Sequence, residues 1–208
     1  ERKPGGSYSA YLSHLNTHRP STANFGGVIY RSNISTTNMI FNIGIVYDKG
    51  QWVMHMLRHV VGDAAFFQSL AAYRSLYEGG TAGIDDYQAV VEAVSGQNLD
   101  WFFQQWIYAG GAPYYQYGWE SAQVCAQHHL KLYVRQYQDT LTPAFPIMSM
   151  PIDIRIETNS GTQTVTVWND AAEQWYSIPV PAPVTGVAFD PDTWILRGAA
   201  APTAYLQP

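Results

Sequence analysis

The sequence predicts an α+β chain, an α-helical segment followed by a small antiparallel β-sandwich, and two observations carry that prediction. Apolar residues recur at helical spacing as far as Ile107, then alternate with polar ones from Leu130 onward. Glycine pairs at Gly79–Gly80 and Gly110–Gly111 divide the first half, whereas turn signals such as "NSG" and "DPD" punctuate the second. The change of period places a boundary near Pro113. Residues 1–113 are expected to be helical, 114–198 a β-sandwich, and 199–208 a tail or linker stub.

Taken in order, "SYSAYLSHLNTHRP" has a serine start at Ser7, Tyr11, Leu12 and Leu15 on one face, and Pro20 as its stop. A loop rich in Gly, Ser, Asn and Thr follows to about Thr37. "YDKG", at Tyr47–Gly50, interrupts an apolar run just ahead of Trp52, Val53, Met56, Leu57, Val60 and Val61. It reads as the start of a buried helix, where a polar group is costly unless paired or working. The plain reading has Asp48 favouring the helix dipole and Lys49 solvated; the alternative has Tyr47 facing a site. Gly62 ends that helix, and Asp63 is expected to cap the next, which carries Phe66, Phe67, Leu70 and Ala71. Tyr87, Val90, Val91 and Val94 form a stripe closed by Gly96, and Leu99, Phe102, Phe103, Trp106 and Ile107 form another. Strands are expected in "LKLYVRQ", "PIDIRIE", "TQTVTVW", "QWYSIPV" and "VTGVAFD".

Composition removes several classes of function. A net charge of −5 leaves no basic stripe for nucleic acid. No run of 18 apolar residues exists, so no helical membrane span is expected. A single cysteine, Cys125, excludes an internal disulfide framework. Few Lys and Arg with Thr-, Asn- and Gln-rich strands suggest an extracytoplasmic protein, periplasmic or secreted. The opening "ERKPGG" has neither a methionine nor a signal peptide, so the N-terminus is expected to be a cut.

The stretches "VYDKGQWVMHMLR", "VGDAAFFQSLAAY" and "GTAGIDDYQAVVEAVSGQNLDWFFQQWIYAGGAPYY" resemble, in order and spacing, the later part of the M1 family of zinc aminopeptidases, the gluzincins of aminopeptidase N type. The likeness runs from about Phe41 to Tyr115. Beyond it, "LKLYVRQ", "PIDIRIE" and "GVAFDPDTWIL" resemble the small β-sandwich domain that follows the catalytic domain in that family. The first forty residues fit by position only. In that family the tyrosine of the Y-[DE]-K-G element donates a hydrogen bond to the oxyanion of the tetrahedral intermediate. The resemblance assigns that catalytic role to Tyr47. A phenol with an ordinary pKa near 10 stays protonated at neutral pH, which suits the task. Asp48 and Lys49 are expected to fix the turn and the helix.

One departure matters. The family holds its zinc by His-Glu-x-x-His and a further glutamate, and this sequence contains no such motif. The resemblance implies that those ligands lie upstream of Glu1, so no metal is expected in this chain. The chain is then read as the C-terminal part of an aminopeptidase that removes N-terminal residues from peptides, inactive alone. Its implied partners are a peptide substrate and the missing upstream half of the catalytic domain. The face that half would cover is expected to promote self-association beside Tyr47. The alternative is an M1-like non-catalytic scaffold or interaction module.

Other residues invite rival readings. His55 and His59 stand four apart on one helix, but no glutamate follows His55. His128 and His129 point to opposite faces of a strand. His14 and His18 share helical spacing beside Pro20, with no acidic partner near them in sequence, and read as a solvated helix end. "YYQYGW" at Tyr114–Trp119 could stack on sugars, whereas Trp52, Trp101 and Trp106 lie on or beside apolar stripes and read as core. Cys125 has no neighbouring base and reads as structural.

Overall fold

The computed structural model describes residues 7–138 and 145–207. The chain forms two compact units, Glu1–Gly110 and Gly111–Pro208. Helices occupy the first and strands the second.

In the helical unit, α1 (Tyr8–Thr17) starts at Ser7, whose hydroxyl accepts the Ala10 amide at 3.1 Å. It ends before Pro20, because the residue ahead of a proline is driven out of helical geometry. The loop that follows holds two single turns, α2 (Thr22–Phe25) and α3 (Thr37–Ile40). A π-helical turn at Ile43–Lys49 runs directly into α4 (Gly50–Val61). Gly62, at φ +80°, ends α4 in backbone geometry that only glycine takes easily. α5 (Asp63–Tyr77) opens at Asp63, but that carboxylate does not cap the helix as expected. Arg58 Nε and Nη2 grip both its oxygens at 2.7 Å each. A bidentate charged pair outcompetes a backbone amide for the same oxygens. α6 (Ile84–Ser95) starts where Asp86 accepts the Gly83 amide at 2.8 Å and ends at left-handed Gly96, φ +69°. α7 (Asp100–Trp106) completes the unit.

The stripes read from the sequence meet as one core. Trp52, Met56, Leu57, Val91, Leu99, Phe102 and Trp106 are fully buried. Trp101 is not among them and stays half-exposed. Trp52 Nε1 donates to the Leu15 carbonyl at 3.1 Å, so α1 is tied to α4 by the one polar atom of a buried indole.

The second unit contains β1 (Pro113–Val124), β2 (Gln127–Gln138), β3 (Met150–Thr158), β4 (Gly161–Asn169), β5 (Glu173–Val180), β6 (Val184–Phe189) and β7 (Ala200–Pro202). Among the described residues the strands form two sheets, ordered β5-β2-β1-β7 and β4-β3-β6. Cys125 and Ala126 turn β1 into β2 with φ of 48° and 69°, the double positive pair of a two-residue hairpin. Leu130, Leu132 and Val134 from one sheet and Ile152, Ile154 and Ile156 from the other are all fully buried. Tyr115 and Tyr117 each bring a ring to 5.1 Å from that of Phe189 on the facing sheet. The sheets therefore pack as a sandwich.

Two features differ from expectation. The sandwich is not wholly antiparallel, since β7 pairs with β1 in parallel. Residues 199–208 were expected as a tail or linker stub, yet Ala200–Pro202 is that seventh strand. Backbone hydrogen bonds outweigh a composition of Ala and Pro that carries little strand signal.

Candidate active site

Tyr47 lies on the π-helical turn ahead of α4, rather than on α4 itself. Its start is fixed by Asn42, whose side chain accepts the Ile45 amide at 2.9 Å while its carbonyl accepts the Val46 amide at 2.8 Å. Close approach fixes the flank. A Cβ on Gly44 would stand 2.2 Å from the Asn24 side chain, and one on Gly27 would stand 2.5 Å from Ile45. The turn can press against α2 and the loop after it only because both positions lack side chains.

Lys49 anchors the other end. It is 0% exposed, so the solvated reading of this residue is wrong. Its ammonium donates to the Phe25 carbonyl at 3.2 Å and the Gly27 carbonyl at 2.7 Å. Burial lowers its pKa to about 8. No carboxylate compensates in that shift, so two carbonyl dipoles carry the charge. Asp48 is half-buried, and its carboxylate comes to 3.6 Å from His18 Nδ1. That contact corrects the reading for His18 alone, because the fold brings Asp48 to the end of α1.

Between these fixed neighbours Tyr47 stands 52% exposed. Among the described residues its hydroxyl has no hydrogen-bond partner. A phenol held on a rigid turn with its hydroxyl unspent can donate to an external oxygen. Val46 and Gly50, on either side of it, line an apolar cavity of about 500 Å³ together with Val53, Leu57, Phe102 and Phe103. Tyr47 is not part of that lining, so the cavity and the phenol use different sides of the turn. Two features escaped sequence reasoning: the buried Lys49 tether and this apolar cavity. The tether had one readable signal, a lysine inside an apolar run followed by glycine.

Among the described residues, no group of three His, Cys, Asp or Glu side chains could hold a metal ion. His55 is buried, and its Nδ1 lies 2.8 Å from the Tyr11 hydroxyl, which commits that nitrogen to α1. His129 Nδ1 lies 3.0 Å from Ser177 Oγ on the neighbouring strand.

Residues 20–106 match the Peptidase family M1 domain. The chain is 40% identical over 77 residues to aminopeptidase N of Lactococcus lactis subsp. lactis, a stretch that covers 36% of this chain and 9% of that protein. Its fold is similar to that of Legionella pneumophila aminopeptidase A, solved in complex with aspartic acid. The TM-score is 0.67 at 12% identity, over 90% of this chain and 21% of that one. At that identity the structural likeness speaks for the fold alone. The chain thus spans a small share of either relative, and the matched segment contains the turn that carries Tyr47. Over residues 20–106 the chain is similar to part of the M1 peptidase domain, in agreement with the resemblance read from its sequence.

Proposed function

We propose that the chain supplies the transition-state-stabilising tyrosine of an aminopeptidase that removes N-terminal residues from peptides. The observation that supports this reading is Tyr47 itself, an exposed phenol without a hydrogen-bond partner among the described residues, fixed by Asn42 and by buried Lys49 inside the family-matched segment. Its hydroxyl donates to the oxygen of the scissile carbonyl as negative charge develops there. A donor held in place before reaction costs no reorganisation during it. Asp48 and Lys49 position the turn and take no part in the chemistry.

The described residues do not fit a catalytic zinc, which needs three protein ligands and an open position. In this reading the zinc ligands belong to residues outside this chain, and the chain alone neither holds zinc nor cleaves peptides.

The test is Tyr47→Phe in the intact protein. Loss of one oxyanion donor should lower kcat roughly 10²–10³-fold. KM should change much less, because the bond strengthens only in the transition state. Turnover within about 3-fold of wild type would overturn the role and favour a non-catalytic scaffold instead.

A further inference from the structure

The outer face of the four-stranded sheet breaks its own alternation at one place. Gly118, Tyr133 and Trp175 stand side by side in register across β1, β2 and β5. Their side-chain positions face away from the core that Leu132 and Val134 enter. Tyr133 is nevertheless only 1% exposed. Its neighbours on that face, Lys131 and Arg135, are accessible.

What lies over this row is the segment that follows β7. After β7 the Thr203 amide donates to the Tyr117 carbonyl at 2.8 Å. The backbone then passes so close over Gly118 that a Cβ there would stand 2.4 Å from the Ala204 carbonyl oxygen. Trp175 Nε1 donates to the Leu206 carbonyl at 2.7 Å, and its ring lies 5.3 Å from that of Tyr133. Burial first, and then Glu120, raise the pKa of the Tyr205 phenol, which places Tyr205 near Glu120 on the same outer face.

These contacts read main chain, not side-chain charge. Residues 203–207 carry no charged group, and Pro202 and Pro208 flank them. An indole N–H directed at a carbonyl beside an aromatic floor is how aromatic-lined grooves hold extended, proline-flanked segments. We propose that the outer face of β5, β2 and β1 is a docking groove for an extended, uncharged peptide segment, filled here in cis by residues 203–207. Gly118 admits the backbone, Trp175 supplies the directed hydrogen bond and Tyr133 forms the floor. The same groove accepts that segment in trans once its own copy is removed.

Hydrogen exchange on the full chain tests the cis contact. The Thr203 amide should exchange at least ~10-fold more slowly than in the free peptide PTAYLQP. Trp175→Phe keeps a ring over Tyr133 but removes the donor, and should speed exchange at residues 204–207 about 5-fold. Gly118→Val should abolish the protection altogether. Unchanged amide protection along β2 in the Trp175→Phe chain shows that the sheet itself is intact. For the trans contact, the chain ended at Pro202 is titrated with PTAYLQP while the Trp175 indole N–H resonance is followed. A saturable shift is expected, with none from a scrambled peptide of the same composition. Free-peptide exchange rates at Thr203 in the wild-type chain, or no saturable shift in the shortened one, would overturn the proposal.

Discussion

The two units treat their buried polar groups in opposite ways. In the sandwich, buried polar side chains close on one another. Gln136 donates to the Met148 carbonyl at 2.9 Å and to Asn169 at 2.5 Å, while its own oxygen accepts the Met148 amide. Asp190 accepts the Trp194 amide at 2.7 Å and Arg197 Nε at 3.1 Å, closing the "DPD" turn on itself. In the helical unit the most deeply buried charge among the described residues, Lys49, serves a neighbour that is half exposed, Tyr47. Large apolar residues follow the same division. Tyr30, Ile34, Ile40, Phe41, Ile43 and Tyr47 are all exposed within one short stretch that ends at the candidate catalytic residue. The sandwich exposes its large apolar residues at scattered positions on several strands. A closed polar network specifies a fold, whereas an open apolar stretch beside a fixed phenol specifies a surface at which something else must arrive.

The largest stability effect should fall where the sandwich is most closed. Ile154→Ala removes three carbons from a fully buried position between the sheets, and should cost about 3–5 kcal/mol. Denaturant titration read at β2 and β3 amides measures it. A loss under about 1 kcal/mol would show that the sandwich core is looser than its burial indicates.

Lys49 gives the next effect, with a definite sign in pH. Its folded-state pKa is about 8 against an ordinary 10.5. Between those values the unfolded chain binds more protons than the folded one, so stability rises with pH. The gain should be roughly 2 kcal/mol between pH 8 and about pH 10, and absent in Lys49→Met. Raised tyrosine pKa values act on both proteins alike, so the difference between the two isolates Lys49. A parallel pH dependence of the two chains would mean that Lys49 is not held in the buried pose.

Much of this fold was legible because hydrophobic period is written residue by residue. The stripe from Tyr87 to Val94 and the alternation from Leu130 to Val134 both appear as helix and strand where the pattern placed them. What stayed illegible depends on residues distant in sequence. Lys49 reads as solvated until the carbonyls of Phe25 and Gly27 are brought to it, 24 and 22 positions away. Residues 200–202 read as linker until β1 offers them an edge, because three small residues carry no period of their own. Asp63 reads as a cap until Arg58 reaches it. Tyr47 was legible only through its resemblance, since one tyrosine in an apolar run has no chemistry of its own; the structure adds its exposure and its fixed turn.

The smallest stability effect should accompany a change in behaviour that is easy to see. Phe41 and Ile43 are 55% and 70% exposed, so neither is held by the core. Replacing both by serine should alter folding stability by no more than about 0.5 kcal/mol. The same replacement removes the two most exposed large side chains of the stretch that leads to Tyr47. If that stretch is a docking face, the wild-type chain should self-associate as its concentration rises, with the apolar patch finding a second copy in place of its proper cover. The Phe41→Ser, Ile43→Ser chain should then sediment as a monomer at concentrations where the wild type does not. Equal sedimentation of the two chains, both monomeric, would show that the exposed stretch is inert. The contrast between a finished sandwich and an open helical face would then rest on Tyr47 and Lys49 alone.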